Sequence, residues 1–427
     1  MKIAWFSPLP PAPTDIGNYT MRLLPHLESA FQIELYSEQE TAETGPSRVP
    51  VKKYLGKGLD WRELNQFDFS VYHLGNNLLF HKGIWEASLQ KPGVIVLHDE
   101  ALHDFFFMFC RSAQDREGYL NWMKQFYGEQ GCTCGEQFWK GMRTIEEMVQ
   151  KFPLTELGLM GALGVVVHTR ALFDKLKTSN GYPIAHLNLP YNPISEKRTK
   201  EVGQSKPYSL VVFGHLGRNR RIEQILSVLS EFPNKDEFTL TIMGELCDGT
   251  YVSELINKMG LRQRVEILGY VPEEELNKRL SRADMALNLR YPTMGEASGS
   301  QLRIWDHALP SLVTKVGWYA ELPANTVFMV DHNREREEIW RYLQMFLDNP
   351  GEFRVVGENG RKHLLQEHGS EKYVKELKLF LEKTARWQGK TAYKYLSARV
   401  AQCTQGYIHH DNLYLLRNAA QQISSLL

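Results

Sequence analysis

Residues 285–306 read Met-Ala-Leu-Asn-Leu-Arg-Tyr-Pro-Thr-Met-Gly-Glu-Ala-Ser-Gly-Ser-Gln-Leu-Arg-Ile-Trp-Asp. The apolar run Met285–Leu289 predicts a buried strand, and Pro292 with Gly295 predicts a loop after it. A helix is predicted from Ser298, because apolar residues then recur three and four positions apart. A strand, a loop and a helix that opens with small residues form the arrangement that binds anions in α/β proteins.

Four residues at the junction of this loop and helix are candidates for ligand binding: Glu296, Ser298, Gly299 and Ser300. Backbone N–H groups at a helix start have no partners within the helix, so they are predicted to hold a phosphate group. Glu296 precedes them and is predicted to accept hydrogen bonds from ligand hydroxyls. The alternative is that Glu296 only complements the helix dipole, and the local pattern leaves both interpretations open.

Short apolar runs alternate with helical stretches in both halves of the chain. This alternation predicts an α/β fold with parallel sheets. The predicted strands are Lys2–Ser7, Gln32–Ser37, Asp68–His73, Gly93–His98, Gly164–His168, Tyr208–Phe213, Thr239–Met243, Val265–Leu268, Met285–Leu289, Ser311–Thr314 and Val327–Val330. The polar segment 190–207 is predicted to be a linker. Two such domains would face a cleft, the usual place for a ligand.

The predicted organisation is a first domain at residues 1–195 and a second at 205–375, followed by a helical segment at 376–427. Within the first domain, residues 104–160 are expected to form a helical insert rich in aromatic residues. Such a stripe of rings is typical of core packing. The alternative is an exposed surface that holds a lipid-linked or aromatic acceptor.

Composition and charge exclude some classes of function. The chain of 427 residues has 50 basic and 50 acidic residues, so the basic excess of a nucleic-acid binder is absent and no nucleic-acid partner is expected. No cleavable apolar segment is expected at the N-terminus, and the longest nearly apolar stretch, 157–167, is too short to span a bilayer. Five cysteines without framework spacing fit a reducing cytoplasm. We expect a cytoplasmic protein, and peripheral contact with the inner face of a membrane stays open.

A second anion-binding element is predicted at 213–221, Phe-Gly-His-Leu-Gly-Arg-Asn-Arg-Arg, which directly follows a strand. Gly214 would let the backbone approach a phosphate, and Arg220 would pair with it. His215 would add a hydrogen-bond donor. Solvated arginines at a helix start are the alternative, which is unfavourable because cations oppose the dipole there. Gly244 and Tyr270 end two further strands.

In the first half of the chain, Gly17, Asn76 and His98 are predicted to stand at strand ends or in the loops that line the cleft. His98 is also the first of four possible metal ligands in the run 98–104. If that run is helical, His98 and His103 are five positions apart and do not share a face. A hydrogen-bonding histidine is therefore favoured over a metal ligand, and no metal site is predicted.

The segment Tyr291–Ser300, together with Val316–Pro323, resembles the donor-binding segment of family 4 of the retaining glycosyltransferases. That family has the GT-B architecture, in which two Rossmann-like parallel-sheet domains face a cleft. The resemblance implies that Glu296 contacts the donor sugar. A second family glutamate, eight positions further on, usually holds the ribose. Ile304 occupies that position here, so this contact cannot be carried over.

The resemblance also assigns roles to residues outside this segment. It implies that His215 and Arg220 hold the pyrophosphate and that the turns at Gly244 and Tyr270 lie near the nucleobase. In the first domain it implies that Gly17 lets the backbone approach the ligand and that His98 lies beside the sugar. Asn76 is a weaker candidate at the same edge.

The implied activity is metal-independent retaining transfer of a hexose from a GDP- or UDP-sugar to a glycan, a lipid-linked or another hydroxyl acceptor, as in bacterial polysaccharide biosynthesis. Glu296, His98 and Arg220 would carry catalysis, and no separate cofactor is expected. Two alternatives stay open. One is a catalytically weak or inactive binding subunit, which Ile304 supports, and the other is a GT-B sugar-nucleotide epimerase or phosphorylase.

Overall fold

The computed structural model describes residues 1–54, 58–179, 182–193 and 200–405. The chain divides into two compact units. The first unit comprises residues 1–168, 172–187 and the chain from 374 onwards, and the second comprises 169–171 and 188–373. Each unit contains one sheet whose paired strands are all parallel. The predicted α/β fold with two Rossmann-like parallel-sheet domains is confirmed.

The sheet of the first unit has seven strands. They are β1 (Lys2–Phe6), β2 (Gln32–Ser37), β3 (Val51–Lys53), β4 (Phe69–Leu74), β5 (Gly93–Leu97), β6 (Ala162–Val167) and β7 (Ile184–His186). Their order is β3-β2-β1-β4-β5-β6-β7. The direction of winding reverses between β1 and β4. In open parallel sheets, ligands bind beyond the carboxyl ends of the strands at such a reversal.

The sheet of the second unit has six strands. They are β8 (Tyr208–Phe213), β9 (Phe238–Met243), β10 (Val265–Gly269), β11 (Met285–Asn288), β12 (Ser311–Thr314) and β13 (Phe328–Val330). Their order is β10-β9-β8-β11-β12-β13, so the winding reverses between β8 and β11. Both strands lead into segments that the sequence marks as anion-binding.

Helices separate most of the strands. They are α1 (Asp15–Ala30), α2 (Trp61–Leu64), α3 (Leu78–Gln90), α4 (His103–Ser112), α5 (Arg116–Trp139), α6 (Ile145–Lys151), α7 (Thr155–Gly158), α8 (Arg170–Ser179), α9 (Ile222–Glu231), α10 (Gly249–Lys258), α11 (Glu273–Leu280), α12 (Gly299–Asp306), α13 (Glu335–Asp348), α14 (Pro350–Glu367) and α15 (Ser370–Gln405). None of the helices in the described ranges combines the length and the hydropathy that a bilayer span requires.

The proline-rich run Pro8–Gly17 predicts a loop, followed by a helix over Tyr19–Leu27, but in the structure the loop ends earlier. Helix α1 begins at Asp15, because the Thr14 side chain accepts a hydrogen bond from the Ile16 N–H and caps it. Gly17 therefore lies in the first turn of α1 and not in the loop. Pro25 lies inside the same helix and does not end it.

The aromatic insert at 104–160 packs mainly as core. It forms α4 to α7, and Phe105, Phe106 and Tyr119 are at most 2% exposed. The other rings of the insert pack partly buried against them. Core packing is therefore favoured over an exposed acceptor surface. Parts of two further predictions, residues 194–199 of the linker and 406–427 of the C-terminal helical segment, lie outside the described residues.

Candidate functional site

Glycines with left-handed backbone mark the carboxyl ends of neighbouring strands in the second unit. Gly214 follows β8 with φ +107°, and Gly244 follows β9 with φ +128°. A Cβ atom at Gly244 would lie 1.9 Å from the Gly214 carbonyl oxygen, so only glycine fits there. The Gly214 N–H donates to the Met243 carbonyl at 3.0 Å. The two turns therefore pack backbone against backbone at this edge of the sheet.

Arg220 is buried beneath this edge. It is 2% exposed and ends a 3₁₀ turn over Arg218–Arg220. Its Nη2 donates to the Phe213 carbonyl at 2.8 Å, directly before Gly214. The structure thus fixes a guanidinium charge against the first turn. His215, which also follows β8, is exposed, and its Nε2 lies 3.7 Å from Sγ of Cys247.

The neighbouring Arg221 has a partner within the protein. Its Nη2 lies 2.8 Å from Oε2 of Glu335, which is 4% exposed. Arg221 therefore needs no bound anion at this helix start, because the carboxylate of Glu335 in α13 neutralises its charge. Arg218 is exposed.

Glu296 forms a compact cluster with the loop that follows β11. Its Oε1 pairs with the guanidinium of Arg290. Its Oε2 accepts from Oγ1 of Thr293 at 2.9 Å and from the Met294 N–H at 2.7 Å. Both side chains of the ion pair are largely buried, at 13% exposure for Glu296 and 19% for Arg290. The carboxylate is thus held in one orientation by the loop.

The loop after β11 also lies against the turn after β8. The Tyr291 N–H donates to the Asn219 carbonyl at 2.8 Å. A Cβ atom at Gly214 would lie 3.4 Å from Oγ of Ser300, so the start of α12 reaches the same place. The structure therefore brings together two elements that the sequence predicted separately: the anion-binding element at 213–221 and the start of the helix at Ser298–Ser300.

At the start of α12, the three small residues have different roles. Ser298 is 3% exposed and caps the helix by accepting from the Gln301 N–H at 3.1 Å. Ser300 is partly exposed. A Cβ atom at Gly299 would meet no atom within 4 Å, so packing does not require glycine there. Open space in front of a helix N-terminus is what a bound anion needs.

Ile304 lies in the core and not at the site. It is 0% exposed and packs in a cluster with Phe213, Val211 and Leu309. At the position of the family's second glutamate, this chain therefore has an apolar residue in apolar surroundings. Tyr270, which follows β10, is 84% exposed, so its ring is not part of the core.

Sequence reasoning missed Arg290, which pairs with Glu296. The available signal was its position, because it is a charged residue two positions beyond the end of β11. Sequence reasoning placed His73 at the end of a predicted strand but assigned it no role, because the apolar pattern of that strand indicates only a buried position.

Three histidines lie at the ends of neighbouring strands in the first unit: His73 near the end of β4, His98 after β5 and His168 after β6. Nδ1 of His73 lies 3.0 Å from Nε2 of His98. The rings of His98 and His168 have centroids 5.1 Å apart, and Tyr19 packs edge-on against His98 at 4.9 Å. His98 is partly exposed, whereas His73 is 0% and His168 2% exposed.

The imidazoles of His73 and His98 are held neutral. Burial lowers the pKa of His73 and of His98 well below the usual imidazole range, and the nearby His168 adds to both shifts. Burial also lowers the pKa of His81 to about 4. The His81 ring bonds through Nδ1 to the His73 carbonyl at 3.0 Å. The edge of the first sheet therefore offers uncharged hydrogen-bonding groups.

Asn76 has a structural role in the first unit, whereas packing does not require glycine at position 17. Oδ1 of Asn76 accepts from the Phe105 N–H at 2.9 Å and thereby caps α4, whose own N-cap residue makes no side-chain bond. A Cβ atom at Gly17 would lie 3.4 Å from the Pro8 carbonyl oxygen, which is an ordinary van der Waals contact.

The run 98–104 does not assemble as a metal site in the described residues. His103 begins α4, and its Nδ1 and Nε2 bond to the Phe152 carbonyl at 2.6 Å and the Tyr119 hydroxyl at 2.9 Å. Oδ2 of Asp99 accepts from the Asn76 N–H at 2.7 Å. His98 and His103 therefore face different neighbours. Because α4 begins only at His103, the run before it is not helical and the spacing argument for a helix does not apply.

Two parallel sheets of this order are the arrangement of the GT-B fold, and in the second unit a glycine turn, an arginine and a helix start lie together at one edge of the sheet. Residues 193–363 match the family model described as glycosyl transferases group 1. This match and the fold agree with the predicted resemblance to GT-B glycosyltransferases, and membership of the retaining family 4 stays a prediction. No curated protein sequence matches the chain with significance.

Solved structures of similar fold cover most of the chain. Sucrose-phosphate synthase from Thermosynechococcus elongatus has 14% identity and a TM-score of 0.61, over 90% of this chain and 99% of its own. The Anabaena protein HepE, solved in complex with UDP, has 12% identity and a TM-score of 0.58, over 90% and 100%. A glycosyltransferase from Rickettsia africae has 11% identity and a TM-score of 0.61, over 90% and 98%. At these identities the likeness establishes the fold.

Proposed function

We propose that the protein is a retaining, metal-independent glycosyltransferase that moves a hexose from a nucleoside diphosphate sugar to a hydroxyl acceptor. One observation carries the proposal: the turn at Gly214, the guanidinium of Arg220 and the start of α12 at Ser300 converge at the winding reversal of the second sheet. Left-handed glycines, an arginine and a helix N-terminus are the groups that bind a diphosphate.

The nucleotide is proposed to be a uridine diphosphate in the first instance. HepE, a protein with the same fold, was solved with UDP and with UDP-glucose. Tyr270 is proposed to lie beside the base, because a ring that is 84% exposed at the end of β10 is available for stacking. A GDP-sugar is the alternative donor.

The chemical step breaks the bond between the anomeric carbon and a diphosphate oxygen. The sugar then resembles an oxocarbenium ion and the diphosphate gains negative charge. Arg220 and the N–H groups at Gly299 and Ser300 stabilise that charge, because groups fixed before the reaction need no reorganisation. The acceptor hydroxyl attacks from the side that the diphosphate leaves, so retention requires no nucleophilic carboxylate.

Glu296 is proposed to orient the donor sugar. An ionised carboxylate has about four acceptor positions. Three are occupied by Arg290, Thr293 and Met294. The remaining position is proposed to accept a hydrogen bond from a sugar hydroxyl. In the first unit, His98 is proposed to hydrogen-bond to the sugar as a neutral imidazole.

The acceptor is proposed to be a glycan or a lipid-linked hydroxyl in bacterial polysaccharide biosynthesis. Glycosyltransferase WaaG, which acts in lipopolysaccharide biosynthesis, shares the fold with 14% identity and a TM-score of 0.54, over 88% of this chain and 98% of its own. A lipid-linked acceptor lies in a membrane, so we also propose that the protein contacts the inner face of that membrane.

A second candidate is a subunit that binds the nucleotide without transferring the sugar. It is favoured by Ile304, whose buried apolar surroundings remove the family's usual ribose contact. Nucleotide binding without turnover on any acceptor would support this candidate against the first.

The test begins with thermal stabilisation by UDP, GDP, ADP and their sugars. A ligand at about 100 times its dissociation constant adds about 2.7 kcal/mol of stability, which is easily measured. Turnover of the stabilising donor is then measured with and without glycan and lipid-linked acceptors. Stabilisation by a diphosphate and release of that diphosphate only with acceptor support transfer. If no nucleotide stabilises the protein, the proposed donor site is wrong.

A further inference from the structure

The ring of His73 is fixed on all sides in the interior of the first unit. It is 0% exposed. Trp5 packs against it with ring centroids 4.4 Å apart, and Tyr19 packs at 5.3 Å. Its Nδ1 lies 3.0 Å from Nε2 of His98, a partner 25 positions away that β4 and β5 bring alongside. The orientation of this imidazole is therefore set by packing.

The position of the proton between the two rings follows from the other nitrogen of His73. In a neutral imidazole one nitrogen donates and the other accepts. Nε2 of His73 is buried and has no hydrogen-bond partner among the described residues. A proton on Nε2 would leave a buried donor unsatisfied, which is unfavourable, whereas a vacant acceptor is tolerated more often. The proton of His73 is therefore on Nδ1, and Nε2 of His98 accepts a hydrogen bond from this N–H group.

We infer that His73 is a positioning residue that holds His98 in the tautomer protonated on Nδ1. Since Nε2 of His98 is occupied, Nδ1–H is the ring group left for a ligand. His98 then donates a hydrogen bond to an oxygen of the sugar and does not take a proton from the acceptor hydroxyl. The contact with the sugar rests on the proposed function, whereas the tautomer is a property of the ligand-free protein.

The tautomer is tested by NMR on the full chain labelled with ¹⁵N-histidine and free of ligand. The chain has 14 histidines, so the His98 signals are assigned as those lost in a His98→Gln variant. The expected spectrum shows a protonated Nδ1 and an unprotonated, hydrogen-bonded Nε2. A protonated Nε2 on His98 in the wild-type protein overturns the inference, and this measurement depends on no variant of His73.

Variants of His73 test the cause. His73→Leu removes the donor and should move the His98 proton wholly or partly to Nε2. His73→Asn places an amide N–H near the lost Nδ1–H and should restore the wild-type spectrum. His103→Leu is the matched control, because it deletes another buried histidine with two bonds and should leave the His98 signals in place. An unchanged His98 spectrum in His73→Leu overturns the inference.

Turnover separates this inference from the proposed function. Loss of one neutral hydrogen bond is worth up to about 1.5 kcal/mol, so His73→Leu should slow transfer up to about tenfold, and His73→Asn should recover the rate. If the spectrum is as expected but His98→Gln transfers normally, the contact between His98 and the sugar is wrong and the tautomer assignment stands.

Discussion

At the carboxyl edge of the first sheet, imidazoles from neighbouring strands contact one another, whereas the same edge of the second sheet carries a buried arginine and an arginine–glutamate ion pair. The two sheets have the same winding, with a reversal between β1 and β4 and between β8 and β11. His73 and His98 have pKa values lowered by burial and are neutral. Arg290 and Glu296 form an ion pair.

We propose that this difference lets one topology serve two kinds of ligand chemistry. Neutral donors and acceptors suit sugar hydroxyls, since they exchange hydrogen bonds without a net charge to desolvate. Fixed charges and backbone N–H groups suit a diphosphate. Substitutions at one edge or the other test whether the two edges differ in ligand chemistry in this way.

The largest effect is expected from Glu296→Gln. The variant keeps the size of the side chain and removes its charge. The hydrogen bond to the sugar should therefore weaken most in the transition state, where charge develops on the sugar. Turnover should fall by about 100-fold or more, while affinity for the diphosphate without a sugar should change little. Steady-state kinetics and calorimetric titration on the same protein check this.

Arg290→Gln is the matched control for Glu296→Gln, because it breaks the same ion pair and leaves the carboxylate charged. It should lower the melting temperature by a similar amount and reduce turnover less. Equal losses of turnover in the two variants would mean that the ion pair matters only for the shape of the loop. Normal turnover with a lowered melting temperature in Glu296→Gln would make the residue structural.

Arg220→Ala should weaken diphosphate binding by about ten- to a hundredfold, because a charged hydrogen bond contributes about 1.5–3 kcal/mol. Arg218→Ala should have a smaller effect, since Arg218 is exposed. Arg220 is also bonded to Phe213, so stability will fall as well. Arg221→Ala controls for that loss, because it breaks the ion pair with Glu335. If Arg221→Ala weakens binding as much as Arg220→Ala, Arg220 has no special role.

Acid should destabilise the first unit more than the second. Burial lowers the pKa of His73, His81, His98 and His103 in the first unit, to about 4 for His81 and His103. Unfolded imidazoles take up protons near pH 6.5. Stability is therefore fully present above that pH and falls as the pH drops from there towards the folded pKa values, by about 1.4 kcal/mol per pH unit for each histidine.

Hydrogen exchange measured at pH 7.5 and pH 5, corrected for intrinsic rates, locates this loss. In the second unit, burial lowers the pKa of His363 and His368. Protection should therefore fall more in β4 and β5 than in β8 and β11. An equal fall in both sheets would contradict the contrast between them.

Gly299→Ala separates ligand binding from packing. Because no atom lies within 4 Å of a Cβ at this position, the melting temperature should stay the same or rise slightly. A methyl group in front of the helix N–H groups should weaken diphosphate binding by roughly tenfold, the equivalent of one hydrogen bond. Unchanged affinity would place the phosphate elsewhere.

Gly244→Ala is the contrasting variant. Its Cβ would lie 1.9 Å from the Gly214 carbonyl oxygen at a φ of +128°, so the protein should lose at least about 1–3 kcal/mol of stability.

Apolar periodicity was sufficient to predict all six strands of the second sheet and all but the two edge strands of the first. The strands β3 and β7 were missed because they are three residues long and only partly buried, so neither carries an apolar run. Helix α1 was predicted too short, because the cap at Thr14 stands beyond a proline-rich run that favours a loop.

At the candidate site, strand-end position identified His98, Gly214, Arg220 and Glu296, but not their partners. The bond between His73 and His98 depends on β4 and β5 being adjacent, and Arg221 meets a glutamate 114 positions away. Such pairs follow from tertiary packing and have no local pattern. Arg290 is the exception, because it lies six positions from Glu296 in the same loop.

The smallest effect is expected from removal of metal ions. Arg220 and the N–H groups at the start of α12 supply positive charge at the second sheet, so the proposed mechanism needs no divalent cation to neutralise the diphosphate. Transfer measured in excess EDTA should match transfer in magnesium or manganese. A rate that falls with chelator and returns with metal would show that these groups are insufficient. It would also predict that Arg220→Ala costs less than tenfold, because a cation would then carry the charge that the arginine is assigned.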